Sequence, residues 1–297
     1  MATSEKSPVM TGKTAIIAGN GLLPISVAAA LKADGNPPFV LPIRGEADPE
    51  LYKYDHQEIS VMDFGMLLRA MRKASVSQVV LAGGILNRPH LSDLKLNWPT
   101  LRAVPYVLGA LGRGDDALLR AFMRLLERFG FKMVGAHEVV PDLLSPSPAR
   151  VLTHKQPDEK ARENIVLAMD AALRLGELDV GQGAIAAGGR VVALEGAEGT
   201  DLMIDRVYEL RKAGRIPKRG GVLVKMAKPQ QDERADLPAI GPMTVEGIFR
   251  AGLDGIAVEA GRTFILGLAE TIKAANEKEI FIETISQTGK DGQGEHR

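Results

Sequence analysis

The chain has no cysteine among its 297 residues. Disulfides and thiol catalysis are excluded, and any metal site must use oxygen or nitrogen ligands. That fits a cytosolic protein. Aromatic residues make up only 4% of the sequence. The core must therefore rest on Ala, Val, Leu, Ile and Met, and widespread recognition of bases by stacked rings is not expected. Neither charge dominates, since 37 Lys and Arg balance 37 Asp and Glu. The overall basic footprint of a nucleic-acid binder is missing, and no such partner is expected. No apolar run reaches the roughly 18 residues that a membrane span requires. Residues 1–10 are polar and lack the apolar stretch of a signal peptide, so they read as a disordered leader. The Gly-, Lys- and Gln-rich end, 286–297, reads as a flexible tail.

The length is ample for two domains. In the first half, strand-like Thr14–Ala18, Phe39–Pro42, Val79–Ala82 and Phe131–Val134 alternate with helical stretches at Ile25–Ala33, Asp63–Ala74 and Asp115–Phe129. Phe64, Leu67, Leu68 and Met71 have helical spacing. Such alternation predicts a mostly parallel sheet with helices on its faces. Ser145-Pro-Ser-Pro148 can continue neither a helix nor a central strand. The interdomain linker is placed there, which gives an N-terminal domain over 11–143, a linker over 144–157 and a C-terminal α/β domain over 158–285. In the second half, helices are expected at Glu159–Leu175, Asp201–Ala213, Val245–Gly252 and Phe264–Glu277. Strands are expected at Ala184–Ala187, Val191–Glu195, Gly221–Lys225, Gly255–Glu259 and Ile280–Ile285. Gly188-Gly189 joins the first two of these strands as a hairpin, so the second sheet is expected to be mixed.

The most informative segment runs from Lys225 through Gln231-Asp232-Glu233-Arg234-Ala-Asp236 to Gly241-Pro242. It places acids, bases, amides and three prolines directly behind an apolar strand. Carboxylates can hold a hard cation, whereas Lys and Arg can hold a phosphate. Both in one loop point to metal-assisted work on a phosphorylated substrate. Asp232 and Asp236 are four residues apart, and on a helical turn they share a face. Such like charges repel unless a cation or Arg lies between them, and the alternative is a solvated loop neutralised by Arg. Two other clusters also run from a strand into a helix: Glu195-Gly-Ala-Glu198-Gly199-Thr200-Asp201, with Arg206 beyond, and Val258-Glu259-Ala-Gly261-Arg262-Thr263. Thr200 or Asp201 can cap the helix that follows. In an open α/β sheet, strand ends that share one edge form the ligand crevice. Gathering these acids there requires the three strands to run the same way.

The first half carries weaker signals. Gly19-Asn20-Gly21 lacks the third glycine of a dinucleotide fingerprint. It reads either as a tight turn or as amides at a helix start that meet a phosphate or sugar. Behind the third strand, Gly83-Gly84-Ile-Leu-Asn87-Arg88-Pro89-His90 offers Arg88 to a phosphate or to a surface acid. Asp179-Val-Gly181-Gln182 reads as ordinary turn chemistry.

Taken together, Glu198-Gly-Thr-Asp201 with Arg206, Gln231-Asp232-x-Arg234-x-Asp236-x-Pro238 with Gly241, and Gly255 to Gly261 resemble the LpxI family. The Gly19-to-Pro24 turn, the Gly83-to-Arg88 loop and Asp179-Val-Gly-Gln182 agree, while Gln230 stands where a Gly is expected. The resemblance covers nearly the whole chain. It implies hydrolysis of the diphosphate of UDP-2,3-diacylglucosamine to UMP and 2,3-diacylglucosamine 1-phosphate (lipid X), in lipid A assembly, with Mg²⁺ or another divalent cation. It implies a Rossmann-like N-terminal domain, a C-terminal α/β domain and a homodimer. The essential aspartate of the family corresponds to Asp232, with Asp236 as the substitute. Lys225 and Arg234 are expected to meet phosphates, and the metal set is Asp232 with Asp236, Glu198 and Asp201. The N-terminal substrate contacts are expected from Gly19, Gly21, Leu23, Pro24, Gly83 and Arg88. The C-terminal ones are expected from Gln182, Gly199, Thr200, Arg206, Gln231, Glu259 and Gly261. A cytoplasmic protein is expected, with peripheral contact at the inner membrane leaflet left open. The alternatives are an oxidoreductase built on the first glycine turn and a non-catalytic lipid or nucleotide binding protein.

Overall fold

A computed structural model describes residues 12–85 and 115–287. Arg88 and His90, the leader at 1–10 and the tail from 288 onward lie outside the described residues. The chain divides into two compact units, Met1–Val140 and Pro141–Arg297.

The first unit is a four-stranded, wholly parallel sheet. Its strands are β1 (Lys13–Ala18), β2 (Phe39–Pro42), β3 (Val76–Ala82) and β4 (Lys132–Met133), in the order β2-β1-β3-β4. Buried Ile16, Leu41, Val80 and Met133 make it apolar on both faces, as a parallel sheet requires. Helix α1 (Leu22–Ala33) begins one turn before the expected Ile25. Pro24 lies within its first turn, where the missing N–H has no intrahelical partner to lose. Helix α2 (Phe64–Lys73) starts at Asp63, whose carboxylate accepts the Met66 N–H at 2.9 Å. It buries Phe64, Leu67, Leu68 and Met71, the stripe read from the sequence. Helix α3 (Asp115–Arg128) and the short α4 (Ala136–Val139) complete the described part.

The second unit holds a five-stranded mixed sheet. Its strands are β5 (Gly183–Ala186), β6 (Val191–Leu194), β7 (Val222–Lys225), β9 (Gly255–Glu259) and β11 (Phe281–Ile285), in the order β11-β9-β7-β5-β6. Strand β5 alone is reversed, antiparallel to both β6 and β7, whereas β7, β9 and β11 are parallel. Side chains alternate across the sheet, as the pleat demands. Ala184, Ala186, Val222, Val224, Ala257 and Phe281 face helix α5 (Glu159–Glu177), which meets them with Ala161, Ile165, Ala168 and Ala172. Ile185, Leu223, Ile256, Val258 and Ile282 face the other way. There α6 (Gly199–Lys212), α7 (Pro242–Arg250) and α8 (Leu268–Glu277) cover them with Met203, Ile204, Val207, Val245, Ile248 and Ala275.

One expected helix starts late. The helix expected from Phe264 begins only at Leu268. Phe264–Ile265 forms a two-residue strand, β10, parallel to β8 (Ala239–Ile240). A short apolar run followed by glycine does not distinguish the two, and Gly267, in the left-handed region, starts the helix late. Residues 144–157, where the linker was expected, are laced along the second unit. Ser145 N–H donates to the Thr263 carbonyl at 2.6 Å, Leu152 N–H to Ile282 at 2.8 Å, and Thr284 N–H to Arg150 at 2.9 Å. Among the described residues, no helix is long and apolar enough to cross a membrane.

Candidate active site

The reversal of β5 decides what the sheet edge collects. Since β6 and β7 each run antiparallel to β5, they point the same way as each other and as β9. The polar segments that follow these three strands therefore share one edge, and the segment that precedes β5 joins them there.

Lys225, the last residue of β7, is only 5% exposed. Its ammonium donates to Thr200 Oγ1 at 2.7 Å and to the Ala239 carbonyl at 3.3 Å, and lies 3.9 Å from Glu195 Oε1. Thr200, in the first turn of α6, donates in turn to Glu195 Oε1 at 2.5 Å. Glu195 Oε2 accepts the Gln182 N–H at 3.1 Å. A buried chain of Lys, hydroxyl and carboxylate thus links the ends of β6 and β7 to the start of β5.

The acid loop follows. Arg234 donates through Nε to Asp232 Oδ1 at 2.9 Å and through an Nη to Oδ2 at 2.7 Å, a forked pair. Gln231 Nε2 donates to Asp236 Oδ2 at 3.0 Å. Asp236 is exposed as a residue, yet protein atoms crowd around its carboxyl. This desolvation holds its carboxyl above the usual Asp range, against the pull of the Lys225 and Lys228 ammonium groups and the Gln231 amide; Glu195 adds to the rise. The loop is tied at both flanks. Lys228 Nζ donates to Asp179 at 2.6 Å, and Arg262 Nε donates to Glu233 at 2.8 Å.

Several expected contacts have other duties. Glu259 is 5% exposed and accepts from Ala227 N–H at 2.8 Å, Arg262 at 2.9 Å and Gln287 at 2.9 Å. Its position behind a strand suited a substrate contact, but its oxygens hold the backbone of the next strand's exit. Gly261 N–H is bound to Ser145, both to its hydroxyl and to its carbonyl. Arg206 reaches the Leu194 carbonyl and Glu198, at 2.6 and 2.9 Å. Gly199 takes the positive φ that lets α6 begin, and Asp201 is exposed in its first turn. In the first unit, Gly19 and Gly83 bring two turns together: Asn20 and Gly84 exchange backbone hydrogen bonds at 2.9 and 3.2 Å. A Cβ on Gly19 would stand 2.1 Å from the Gly84 carbonyl oxygen, and one on Gly83 would stand 2.8 Å from Pro24. Gly21 caps α1 without a side chain, and Leu23 is half-buried beside Pro24.

Among the described residues, no three His, Asp or Glu side chains converge as a metal cage would need. Asp232 and Glu198 face arginines, which accounts for acids close in sequence without a cation between them. Mg²⁺ commonly takes only one or two carboxylates and fills its octahedron with water and substrate phosphate. Asp232 and Asp236 lie in one loop, with both oxygens of Asp232 held by Arg234.

Two family models, the LpxI N-terminal domain over residues 13–143 and the LpxI C-terminal domain over 148–283, match the chain in tandem. The chain belongs to the LpxI family. One LpxI relative, from Caulobacter vibrioides, is 38% identical over 272 residues, 91% of this chain and 96% of its own length. That protein is described as a UDP-2,3-diacylglucosamine pyrophosphatase. Sequence reasoning within the LpxI pattern gave no tethering role to Lys228 or to Arg262, although Arg262 stood in one of its clusters. Neither partner of these, Asp179 or Glu233, is a sequence neighbour of its base, so spacing gave no signal. Glu195 was visible as an acid of the second cluster, but not as the anchor of Lys225.

Proposed function

We propose that this chain hydrolyses the diphosphate of UDP-2,3-diacylglucosamine, releasing UMP and 2,3-diacylglucosamine 1-phosphate for lipid A assembly. The observation that carries the reading is a buried lysine beside a two-aspartate loop on one sheet edge, in a chain that shares nearly its full length with a relative of that activity. Water's oxygen joins one phosphorus, the bridging oxygen departs with the other phosphate, and a proton is lost from the water. Lys225, Lys228 and Arg234 supply positive charge for the phosphate oxygens. Asp236, whose carboxyl is held above the usual Asp range, is suited to take that proton. Asp232 and Asp236 would hold Mg²⁺ or another divalent cation, together with substrate oxygens. When bound, such a cation withdraws charge from the diphosphate. The reading includes a cytoplasmic homodimer that meets its lipid at the inner leaflet.

The test is UMP release by the purified protein from UDP-2,3-diacylglucosamine with Mg²⁺, before and after chelation. Asp232→Ala should abolish turnover with melting unchanged. Failure of the wild-type protein to release UMP, or near-normal turnover by Asp232→Ala, would overturn the reading. Release indifferent to chelation would remove the cation from it.

A further inference from the structure

Glu195 is a buried acid, 7% exposed, with no part in the chemistry above. Its surroundings are shaped for it. Its own N–H donates to the Gly183 carbonyl at 2.9 Å, and Gln182 N–H donates back to its carboxylate. The two flanking glycines leave the necessary space. A Cβ on Gly181 would stand 2.3 Å from the Glu195 carbonyl oxygen, and one on Gly183 would stand 3.0 Å from Oε2. The Gly-Gln-Gly stretch before β5, ordinary turn chemistry by sequence, is a seat for this carboxylate.

The seat fixes hydrogen positions. An ionised Glu195 only accepts, so the Thr200 hydroxyl must donate to it at 2.5 Å. The lone pairs of Thr200 are then left to accept from Lys225 at 2.7 Å. A second Lys225 N–H goes to the Ala239 carbonyl. Two of its three N–H directions are thereby used; the third has no acceptor within hydrogen-bond distance among the described residues, since Glu195 Oε1 is 3.9 Å away.

We propose that Glu195 is a positioning residue: acting through the Thr200 hydroxyl, it aims the Lys225 ammonium at the substrate's diphosphate. The inference rests on the function proposed above. It also reassigns Thr200, which the sequence placed among the substrate contacts. With its proton committed to Glu195 and its oxygen to Lys225, this hydroxyl orients a cation instead of binding ligand.

The experiment compares kcat and KM for UMP release in wild type, Glu195→Gln, Thr200→Val, Thr200→Ser and the Glu195→Gln/Thr200→Val double variant. A glutamine that keeps its oxygen on the Gln182 N–H turns an NH₂ toward the Thr200 hydroxyl, which must then accept instead of donate, so the proton order along the chain to Lys225 is lost. Misaiming a charged group should lower kcat by about 10- to 100-fold, with KM moving by less than about threefold. Both single variants act on the same chain of bonds, so the double variant should lose no more than the worse single. Thr200→Ser restores the hydroxyl and should regain most of the turnover lost in Thr200→Val. Wild-type kcat in Thr200→Val, losses that multiply in the double variant, or a change confined to KM would each overturn the proposal. Should Glu195→Gln fail to fold, the Val and Ser pair at Thr200 decides the matter alone. Absence of UMP release by the wild type sinks the proposed function, whereas an active wild type with indifferent variants sinks only this inference.

Discussion

Glu259 offers the sharpest contrast between a substrate contact and a structural tie. Its carboxylate is buried and receives three donors: Ala227 N–H, Arg262 and Gln287. Glu259→Ala strands the amide of Ala227, a residue only 1% exposed. An orphaned buried donor costs about 1–3 kcal/mol. The Arg262 pair adds little, roughly 0.2–1 kcal/mol, because its guanidinium is part-exposed and keeps Glu233 as a partner. The sum is about 1–4 kcal/mol. For a unit of this size that lowers the melting temperature by roughly 3–15 °C. Glu259→Gln keeps an oxygen for Ala227 but turns an NH₂ toward donors, so it should fall between alanine and wild type. Thermal unfolding followed by circular dichroism, with turnover measured on the same preparations, is the assay. An alanine variant that melts within about 2 °C of wild type but loses substrate affinity would refute the argument and return Glu259 to the ligand.

Two further outcomes are expected. Desolvation raises the Asp236 pKa in the folded chain, so the folded state holds the proton more tightly than the unfolded one. Stability from this group is full below the ordinary Asp value, about 3.9, and is lost as pH rises through the raised one. Asp236→Asn, which still accepts from Gln231, should melt higher than wild type at about pH 8, and the gap should close near pH 3; equal melting at both would contradict this. Gly83→Ala meets both a positive φ and the Asn20 carbonyl oxygen at 2.3 Å, whereas a Cβ on Gly21 meets only its positive φ. Denaturant midpoints should therefore drop further for Gly83→Ala than for Gly21→Ala, and the reverse order would remove turn-to-turn packing as the role of Gly83.

The α/β class and the two sheets, one parallel and one mixed, could be read from strand–helix alternation and the Gly188-Gly189 hairpin, because both are local signals. The shared edge could be read only conditionally. It required β6, β7 and β9 to point one way, which depends on pairings through β5 that no single segment displays. Strands β8 and β10 were hidden because two residues carry no periodicity. At the site, residue types were legible and duties were not. Glu259 and Glu195 both look like acids behind strands. What separates them from Asp236 is what each one holds: Gln182 and Thr200, 13 and 5 positions away, for Glu195, and Ala227, 32 positions away, for Glu259. The expected four-acid convergence had an Arg-neutralised loop as its alternative, and Asp232 and Glu198 do each pair with an arginine along the chain.

The hairpin turn 187–190, exposed over 188–190, joins β5 to β6 at the end of the ladder opposite Gln182 and Glu195. The register of that ladder, Ala184 against Leu194 and Ile185 against Ala193, holds those two residues whatever the turn contains. An epitope or a fluorescent reporter grafted between Gly188 and Gly189 would thus sit on the far rim of the sheet, giving a handle for immobilisation that leaves the reacting side of the molecule facing solution.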